Sequence, residues 1–243
     1  MFFCKQVSSV TFDTGSIAAE LHGLEELRKA GIRVQKTYVA GQFHNLSYFV
    51  SQYVQMSGAT IETELDFATQ LVQLHKYSAS QFGLDISNYI GSLLQQNLWS
   101  ADFMTFYTDS RIGPQYALAR KHGFLRDLDI DAYYKQVEQL IPVEQPCLIH
   151  GDLWNGNVLF SNEAAYFIDP SVAYSHREFD LAMMALFGGF GARVYRVYNE
   201  LFPLEDGWEE RKELFQLYYL LVHLNMFGSS YESGVRKIIT KYL

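Results

Sequence analysis

Apolar residues recur along this chain with two different spacings, and each spacing predicts a different kind of element. Short apolar runs predict strands at Phe2–Val7, Val34–Ala40 and Leu46–Val54. A spacing of three to four residues predicts a helix over Ser16–Arg28, which Gly31 ends. The chain therefore begins with a small segment that mixes strands with one helix.

After this segment, helical spacing predominates. The predicted helices are Thr63–Lys76, Asp102–Lys121, Ile130–Leu140, Phe179–Phe187, Ala192–Leu201 and Glu209–Phe227. Two apolar runs interrupt them, Pro146–His150 and Asn157–Asp169, and both predict strands, with a turn inside the second run. The pattern predicts an α+β fold with a small strand-containing segment in residues 1–56 and a larger, mostly helical segment in residues 57–243.

Composition narrows the class of protein. Of 243 residues, 49% are hydrophobic and 19% are charged, which excludes a disordered chain. The net charge of −8 argues against a nucleic-acid binder, which needs a basic face. Two cysteines, Cys4 and Cys147, are too few for a disulfide framework, and no apolar run is long enough to span a membrane. We expect a soluble, cytoplasmic protein that binds neither nucleic acid nor membrane.

One short stretch has the spacing of a phosphoryl-transfer site. His150 and Asp152 follow an apolar run, Asn157 comes five residues after Asp152, and Asp169 comes twelve residues later, at the end of the next apolar run. Protein kinases use this spacing for a catalytic aspartate and two metal ligands. The transfer needs a carboxylate to accept the hydroxyl proton and oxygen ligands for Mg²⁺. Asp152 therefore fits the base, and Asn157 and Asp169 fit the metal site.

Near the start of the chain, Lys5 and Glu20 form a second candidate pair. Lys5 lies in the first predicted strand and Glu20 in the helix that follows it. In kinase folds, a strand lysine that holds phosphates pairs with a helix glutamate. Two solvated surface charges are the simpler alternative, but the kinase-like spacing downstream favours the ion pair.

The motifs around these residues resemble those of the fructosamine (ketosamine) kinases, which are related to the aminoglycoside phosphotransferases and choline kinases. The resemblance extends from Lys5 to the C-terminus and rests most strongly on the sequence HGDLWNGN at His150–Asn157. Further matching segments are Phe82–Asp85, Asn88–Gly91, Asn97–Trp99, Arg111–Gln115, Ile168–Ser171, His176–Met183 and Leu186–Phe190. The resemblance implies a protein-kinase-like fold of two lobes and ATP-dependent phosphorylation of a sugar hydroxyl on a ketosamine, a deglycation activity.

By the same resemblance, ATP and Mg²⁺ are the cofactors, and the roles of Asp152, Asn157 and Asp169 are those stated above. Lys5 and Glu20 would position the phosphates, and Asp180 would brace the catalytic loop. The resemblance places Gln52 and Tyr53 at the hinge, on the adenine side. It places Trp154 and His150 near the sugar, although Trp154 fits equally well as a core aromatic beneath the loop.

The sequence departs from the family pattern before Lys5. The family has a strand, a glycine-rich loop and a second strand ahead of this lysine, whereas only Met1–Cys4 precede it here. We therefore expect a truncated small lobe that binds nucleotide weakly, and self-association through the exposed edge at Phe2–Val7. A catalytically idle kinase-fold binding module and a kinase for another aminosugar or amino-alcohol remain alternatives. The acceptor, fructosyl or ribulosyl and free or protein-bound, also stays open.

Overall fold

The N-terminal part of the chain is a three-stranded antiparallel sheet with one helix. The computed structural model describes residues 1–8 and 15–243. The strands are β1 (Phe2–Ser8), β2 (Thr37–Phe43) and β3 (Leu46–Gln52), and helix α1 (Gly15–Lys29) precedes β2. Strand β3 is central and pairs with β1 on one side and β2 on the other.

The register of this sheet fixes the direction of Lys5. Lys5 of β1 lies directly opposite Phe49 of β3, and Phe49 is fully buried. Directly opposite residues of an antiparallel pair share one face of the sheet. Lys5 therefore lies on the covered face, where it meets Glu20 of helix α1.

Helix α1 packs closely against the rest of the molecule. A Cβ atom on Gly23 would lie 3.1 Å from the side chain of Pro170, the residue after Asp169. Leu24 and Leu27 of the same helix are buried in a cluster with Phe167. The sequence of α1 thus seats the helix beside the segment that carries Asp169.

The larger part of the chain is mainly helical. Its described helices are α2 (Ile61–Lys76), α3 (Phe103–Phe106), α4 (Gly113–Lys121), α5 (Ile130–Val137), α6 (Glu178–Phe187), α7 (Ala192–Leu201), α8 (Trp208–Phe227) and α9 (Glu232–Lys241). A π-helical turn, Tyr107–Ile112, joins α3 to α4. Helix α2 begins with a capping box in which Thr60 and Thr63 satisfy each other's backbone N–H groups. No helix in residues 1–8 and 15–243 is long and apolar enough to cross a bilayer.

Three short two-stranded ribbons complete the described structure. They pair β4 (Asn88–Ile90) with β5 (Leu93–Gln95), β6 (Cys147–Ile149) with β9 (Ala173–Ser175), and β7 (Val158–Phe160) with β8 (Ala165–Phe167). The chain leaves β6 through Asp152, turns back through the β7–β8 ribbon and passes Asp169 before it reaches β9. Ribbon pairing therefore brings the segment that carries Asp169 back beside the loop that carries Asp152.

The buried residues form two large apolar clusters. One lies among α4, α5, α6, α8 and α9, with Tyr107, Tyr133, Phe179 and Phe215 among its fully buried members. The other joins α1 and α2 to the β7–β8 ribbon and to α6 and α7. Because α6 contributes residues to both clusters, its position in the fold is fixed from two sides.

The α+β fold class predicted from sequence is confirmed, and the element boundaries differ in instructive ways. Strand β2 begins at Thr37 rather than Val34, because Val34 forms a separate parallel bridge with Phe167. Strand β3 ends at Gln52 rather than Val54. The β4–β5 ribbon, strand β9 and helix α9 were not predicted. Cys4 and Cys147 are free thiols, as expected.

Candidate active site

The loop after β6 turns sharply at Gly151. This residue has a φ of +81°, and a Cβ atom there would overlap the carbonyl oxygen of Ser171. Glycine adopts this backbone conformation without strain and has no Cβ atom to clash. The turn directs Asp152 away from the buried strand and into a cleft.

The carboxylate of Asp180, on helix α6, binds the backbone of this loop. Its two carboxylate oxygens accept hydrogen bonds from the backbone N–H groups of His150 and Gly151, at 2.7 and 2.9 Å. His75 of α2 lies 3.2 Å from the same carboxylate and contacts the hydroxyl of Tyr198 through its other ring nitrogen, at 2.7 Å. Asp180 therefore braces the loop as predicted, and His75 and Tyr198 are additional members of the brace.

His150 connects the loop to the segment that carries Asp169. Its Nδ1 accepts the backbone N–H of Asp152, so Nε2 carries the hydrogen and donates to the carbonyl of Ile168 at 2.9 Å. The side chain is completely buried, and burial lowers the pKa of its imidazole. The expectation that His150 contacts substrate is therefore corrected. With both ring nitrogens bonded to the backbone and no exposed surface, His150 fixes the loop instead.

Asp152 and Asn157 are linked directly. The Asn157 side-chain amide donates to the backbone carbonyl of Asp152 at 2.8 Å and to its carboxylate at 3.2 Å. Burial raises the pKa of Asp152 to about 7, and the carboxylates of Asp169 and Asp180 act in the same direction. The bond from Asn157 opposes the rise. Asp152 is thus a carboxyl group that titrates near neutrality.

Lys5 lies between two carboxylates. Its ammonium is 2.8 Å from Glu20 and 2.9 Å from Asp169, so the predicted Lys5–Glu20 ion pair is present. Asp169 adopts a left-handed backbone conformation, with a φ of +52°, which is unusual for a residue other than glycine. Burial raises the pKa of Glu20 to about 7, against the effect of Lys5. Lys5 therefore links strand β1 to helix α1 through Glu20 and to the segment after β8 through Asp169.

Two cavities meet at Asp152. A polar cavity of about 330 Å³ is bordered by Lys5, Glu20, Asp152 and Asp169. An apolar cavity of about 220 Å³ is bordered by Asp152 and Trp154. Asp152 borders both cavities and therefore separates a charged chamber from an apolar one.

A third cavity, of about 440 Å³, extends from Asp169 along the segment after β3. Tyr53, Val54 and Met56 line it, and Tyr53 is half exposed. Gln52 is not among its lining residues, and the backbone carbonyl of Gln52 accepts a bond from the side chain of Gln35 at 2.9 Å. The structure therefore brings Tyr53, but not Gln52, to the border of this chamber.

The β4–β5 ribbon forms one wall of the polar cavity and is pinned by a buried polar network. Asn88 accepts bonds from Gln95 at 2.7 Å and from Asn97 at 2.9 Å, and Gln95 contacts Ser171. The fully buried guanidinium of Arg111 donates to Asn97 at 2.7 Å. Most of these residues lie in segments that match the family motifs, although no role was predicted for them. The amide side chains that recur among apolar residues from Asn88 to Asn97 are the signal that could have identified them.

The site defines a class of protein. The site combines a carboxylate with a pKa near 7, a neighbouring amide, a second carboxylate and a lysine–glutamate pair. These groups converge as in phosphotransferases of the protein-kinase type. The fold agrees. A structure of an aminoglycoside phosphotransferase APH(2")-IIa in a ternary complex with streptomycin and ATP matches 98% of this chain and 84% of that chain. Its TM-score is 0.61 at 17% identity, which shows the fold alone.

The family follows from closer similarities. The fructosamine kinase family model matches residues 2–243, so the chain belongs to the fructosamine kinase family. A probable ketoamine kinase of Enterococcus faecium is 38% identical over 94% of this chain and 83% of its own length. The chloroplastic protein-ribulosamine 3-kinase of Arabidopsis thaliana is 34% identical over 100% of this chain and 76% of its own length.

Solved structures agree with this family. A candidate fructosamine-3-kinase from Haemophilus somnus 129PT superimposes with a TM-score of 0.89 at 28% identity, covering 100% of this chain and 83% of that one. A second, from Thermobifida fusca, has a TM-score of 0.87 at 34% identity and covers 98% of this chain and 84% of that one. The predicted protein-kinase-like fold and the family resemblance are both confirmed.

Proposed function

We propose that this chain transfers the terminal phosphoryl group of ATP to a sugar hydroxyl of a ketosamine. The observation that carries the proposal is the convergence of Lys5, Asp152 and Asp169 on the polar cavity, with Asn157 bonded to Asp152. The kinase names of the relatives support the same reaction class. Phosphorylation of this kind makes the sugar adduct labile, so the cellular role is deglycation.

Asp152 acts as the general base. It must orient the acceptor hydroxyl and take its proton as the phosphoryl group is transferred. A pKa raised to about 7 by burial allows this carboxylate to accept a proton near neutral pH and to release it afterwards. The bond from Asn157 and the backbone bonds to Asp180 hold the carboxylate in one orientation.

Asn157 and Asp169 hold magnesium, and Lys5 and Glu20 position the phosphates. The donor set fits the ion, because Mg²⁺ prefers a carboxylate and other hard oxygen ligands together with phosphate and water. The Asn157 amide nitrogen makes both of its bonds to Asp152, which leaves the amide oxygen for the metal. When bound, magnesium–ATP supplies the phosphoryl group and neutralises its charge. The ammonium group of Lys5 lies within hydrogen-bond distance of both Glu20 and Asp169.

The two lobes have different roles: one binds the nucleotide and the other binds the acceptor. Residues 1–56 form the nucleotide side and the hinge, and residues 57–243 carry the catalytic loop and the acceptor side. Tyr53, which lines the third cavity, contacts the adenine, whereas Gln52 contributes through its position at the end of β3. Trp154, which lines the apolar cavity, contacts the acceptor.

We further propose a cellular location and a mode of self-association. We place the protein in the cytoplasm, where it acts on free or protein-bound ketosamines and binds no nucleic acid. Strand β1 lies at the edge of the described sheet, because it pairs with β3 on one side. An edge strand offers backbone groups to another chain, so we also propose self-association through Phe2–Ser8. Light scattering during size-exclusion chromatography would measure the molar mass and test this association.

The function is tested by supplying the chain with ATP, Mg²⁺ and either fructosyl-lysine or ribulosyl-lysine. ADP release and the gain of one phosphoryl group on the acceptor, read by mass spectrometry, are the expected results. Unmodified lysine and free fructose serve as acceptor controls. ADP release without acceptor modification, or no reaction with either ketosamine, would reject a ketosamine kinase and favour a binding module.

A further inference from the structure

The apolar cavity beside Asp152 has an unusually aromatic wall. The rings of Trp154, Phe187, Tyr219, His223 and Phe227 line it, and Asp152 borders it. Among the described residues that line this cavity, Asp152 alone has a carboxyl side chain. A cavity that combines several rings with a single carboxylate differs from an ordinary apolar core gap.

Three of the rings are partly exposed to solvent although they are large and apolar. Trp154 is 43% exposed, Phe187 42% and Phe227 60%. His223 lies between the two phenylalanines, with ring centroids 4.9 Å from Phe187 and 5.4 Å from Phe227. Aromatic rings left open around one cavity, next to a catalytic carboxylate, indicate a surface that a ligand covers.

Two glycines keep this wall in place. A Cβ atom on Gly156 would overlap the six-membered ring of Trp154, so the indole lies directly against the catalytic loop. A Cβ atom on Gly91 would lie 2.6 Å from the terminal methyl group of Met226, a residue that borders both the apolar and the polar cavity. The indole is therefore a positioned wall of the cavity rather than a loosely packed surface ring.

His223 adds a hydrogen-bond acceptor to the same wall. Its Nδ1 lies 2.7 Å from the carbonyl of Tyr219, which can only accept, so Nδ1 carries a hydrogen. Burial lowers the pKa of this imidazole, which favours the neutral form. In the neutral form, Nε2 has a free lone pair. The cavity wall thus presents ring faces, a lone pair and a carboxylate, all of which attract a cation.

The position of Asp152 shows which part of an acceptor would enter this cavity. The phosphate-binding side chains Lys5 and Asp169 border the polar cavity, and Asp152 separates that cavity from the apolar one. An acceptor hydroxyl at Asp152, in line with the phosphate, has the rest of its molecule on the apolar side. In a ketosamine the amine is bonded to C1 of the sugar, only a few bonds from the hydroxyls nearest the carbonyl carbon.

We propose that Trp154, Phe187, His223 and Phe227 form a cation subsite that binds the protonated amine of the acceptor. This inference rests on the proposed function and names the feature by which a ketosamine is distinguished from a free sugar. Ring faces attract ammonium groups through their quadrupoles, and the attraction grows when the cation is desolvated. The net charge of −8 adds a general attraction for cationic acceptors.

The test uses a cation and its uncharged isostere as probes, in the absence of ATP. Choline carries a quaternary ammonium, and 3,3-dimethyl-1-butanol has carbon in place of the nitrogen. The indole N–H signal of Trp154, assigned with Trp154→Phe, reports binding in a nitrogen-15 correlation spectrum. We expect a saturable shift with choline and at least about tenfold weaker binding of the isostere. Equal binding of both probes would show an uncharged apolar subsite, and no saturable shift with choline would also overturn the proposal.

Substitutions of Phe227 distinguish attraction of a cation by an aromatic ring from simple burial of apolar surface. Phe227→Leu keeps an apolar side chain without a ring, and we expect choline to bind about 5- to 30-fold more weakly. Phe227→Tyr keeps the ring and should bind within about twofold of the unsubstituted protein. Phe43→Leu, at an exposed phenylalanine on strand β2, is the matched control and should change nothing. Unchanged choline binding in Phe227→Leu would overturn the cation subsite.

The experiments can reject the cation subsite and the proposed kinase function independently of each other. A chain that shifts with choline yet phosphorylates no ketosamine would retain the cation subsite and lose the ketosamine kinase assignment. A chain that phosphorylates fructosyl-lysine, but has the same KM for an N-acylated analogue without charge, would retain the kinase and lose the subsite.

Discussion

Replacement of Asp180 by asparagine is the sharpest structural perturbation that the catalytic loop offers. The Asp180 side chain is completely buried and accepts hydrogen bonds from the backbone N–H groups of His150 and Gly151. His75 contacts the oxygen that also accepts from His150. The substituted side chain would keep one acceptor oxygen, so its amide NH₂ would face a backbone N–H that also donates.

The expected cost follows from these contacts. A hydrogen bond to a buried charged acceptor contributes about 1.5–3 kcal/mol, and a buried donor left without a partner costs about 1–3 kcal/mol. If the amide oxygen stays beside His150 and His75, one bond is lost and the Gly151 N–H is orphaned. We therefore expect Asp180→Asn to lower the free energy of unfolding by about 3–5 kcal/mol. Displacement of the loop should also lower kcat by about 100-fold.

Urea unfolding followed by far-ultraviolet circular dichroism measures the first effect, and the expected shift in midpoint is about 1–2 M. Turnover is measured without urea, at a temperature where the variant remains folded. Asp206→Asn, at an exposed aspartate, is the matched control and should change stability by less than about 0.5 kcal/mol. A loss below about 1 kcal/mol in Asp180→Asn, together with normal turnover, would refute the assignment of Asp180 as the brace of the loop.

Three further outcomes are expected. Asp169→Asn removes the charged side chain that we propose as a metal ligand, so calorimetry should show that Mg²⁺ no longer strengthens ADP binding; an unchanged Mg²⁺ effect would contradict the assignment. Gly151→Ala forces a side chain into a left-handed turn and onto the Ser171 carbonyl, and should abolish turnover and lower the melting temperature, whereas normal turnover would show that the loop relaxes freely. Burial lowers the pKa of His176 to about 4, so the unfolded chain binds more protons between about pH 4 and 6.5 and stability should fall by about 3 kcal/mol as the pH drops through this window. In His176→Gln this part of the pH dependence should disappear from chemical unfolding curves, and an identical pH profile would show that His176 does not cause it.

The parts of the site that the sequence predicted are those whose geometry is local. Asp152 and Asn157 lie five residues apart on one loop. The β7–β8 ribbon begins directly after that loop, and Asp169 comes two residues after the ribbon ends. The short connection leaves the side chains few other positions, so spacing alone predicts their convergence. Lys5 and Glu20 were predictable for a similar reason, because a strand and the helix after it must pack together.

The aromatic wall of the apolar cavity could not be predicted from spacing. Phe187 ends helix α6, while His223 and Phe227 lie on the last turns of helix α8. Along each helix these residues continue the ordinary apolar periodicity, which is the same for a core contact and for a cavity wall. Their meeting depends on how α6 packs against α8, which is a tertiary property.

Some strands were missed because they are too short for a periodic signal. Strands β4, β5 and β9 contain three residues each, which is less than two periods of alternation. The early start predicted for β2 has a different cause. Val34 bridges to Phe167 of the β7–β8 ribbon rather than to the sheet, and the pattern of apolar residues does not specify the partner.

We propose that Asp152 takes the proton of the acceptor hydroxyl while other residues hold the nucleotide. Asp152→Asn preserves the shape of the side chain and removes its basicity. The most direct measurement compares this variant with the unsubstituted chain in ADP release from ATP, Mg²⁺ and fructosyl-lysine, and in the thermal shift that ADP produces. We expect turnover to fall by about 10²–10⁴-fold with the ADP-induced shift retained, since the proposed metal ligands Asn157 and Asp169 are unchanged. If Asp152→Asn phosphorylates fructosyl-lysine at the rate of the unsubstituted chain, Asp152 is not the general base.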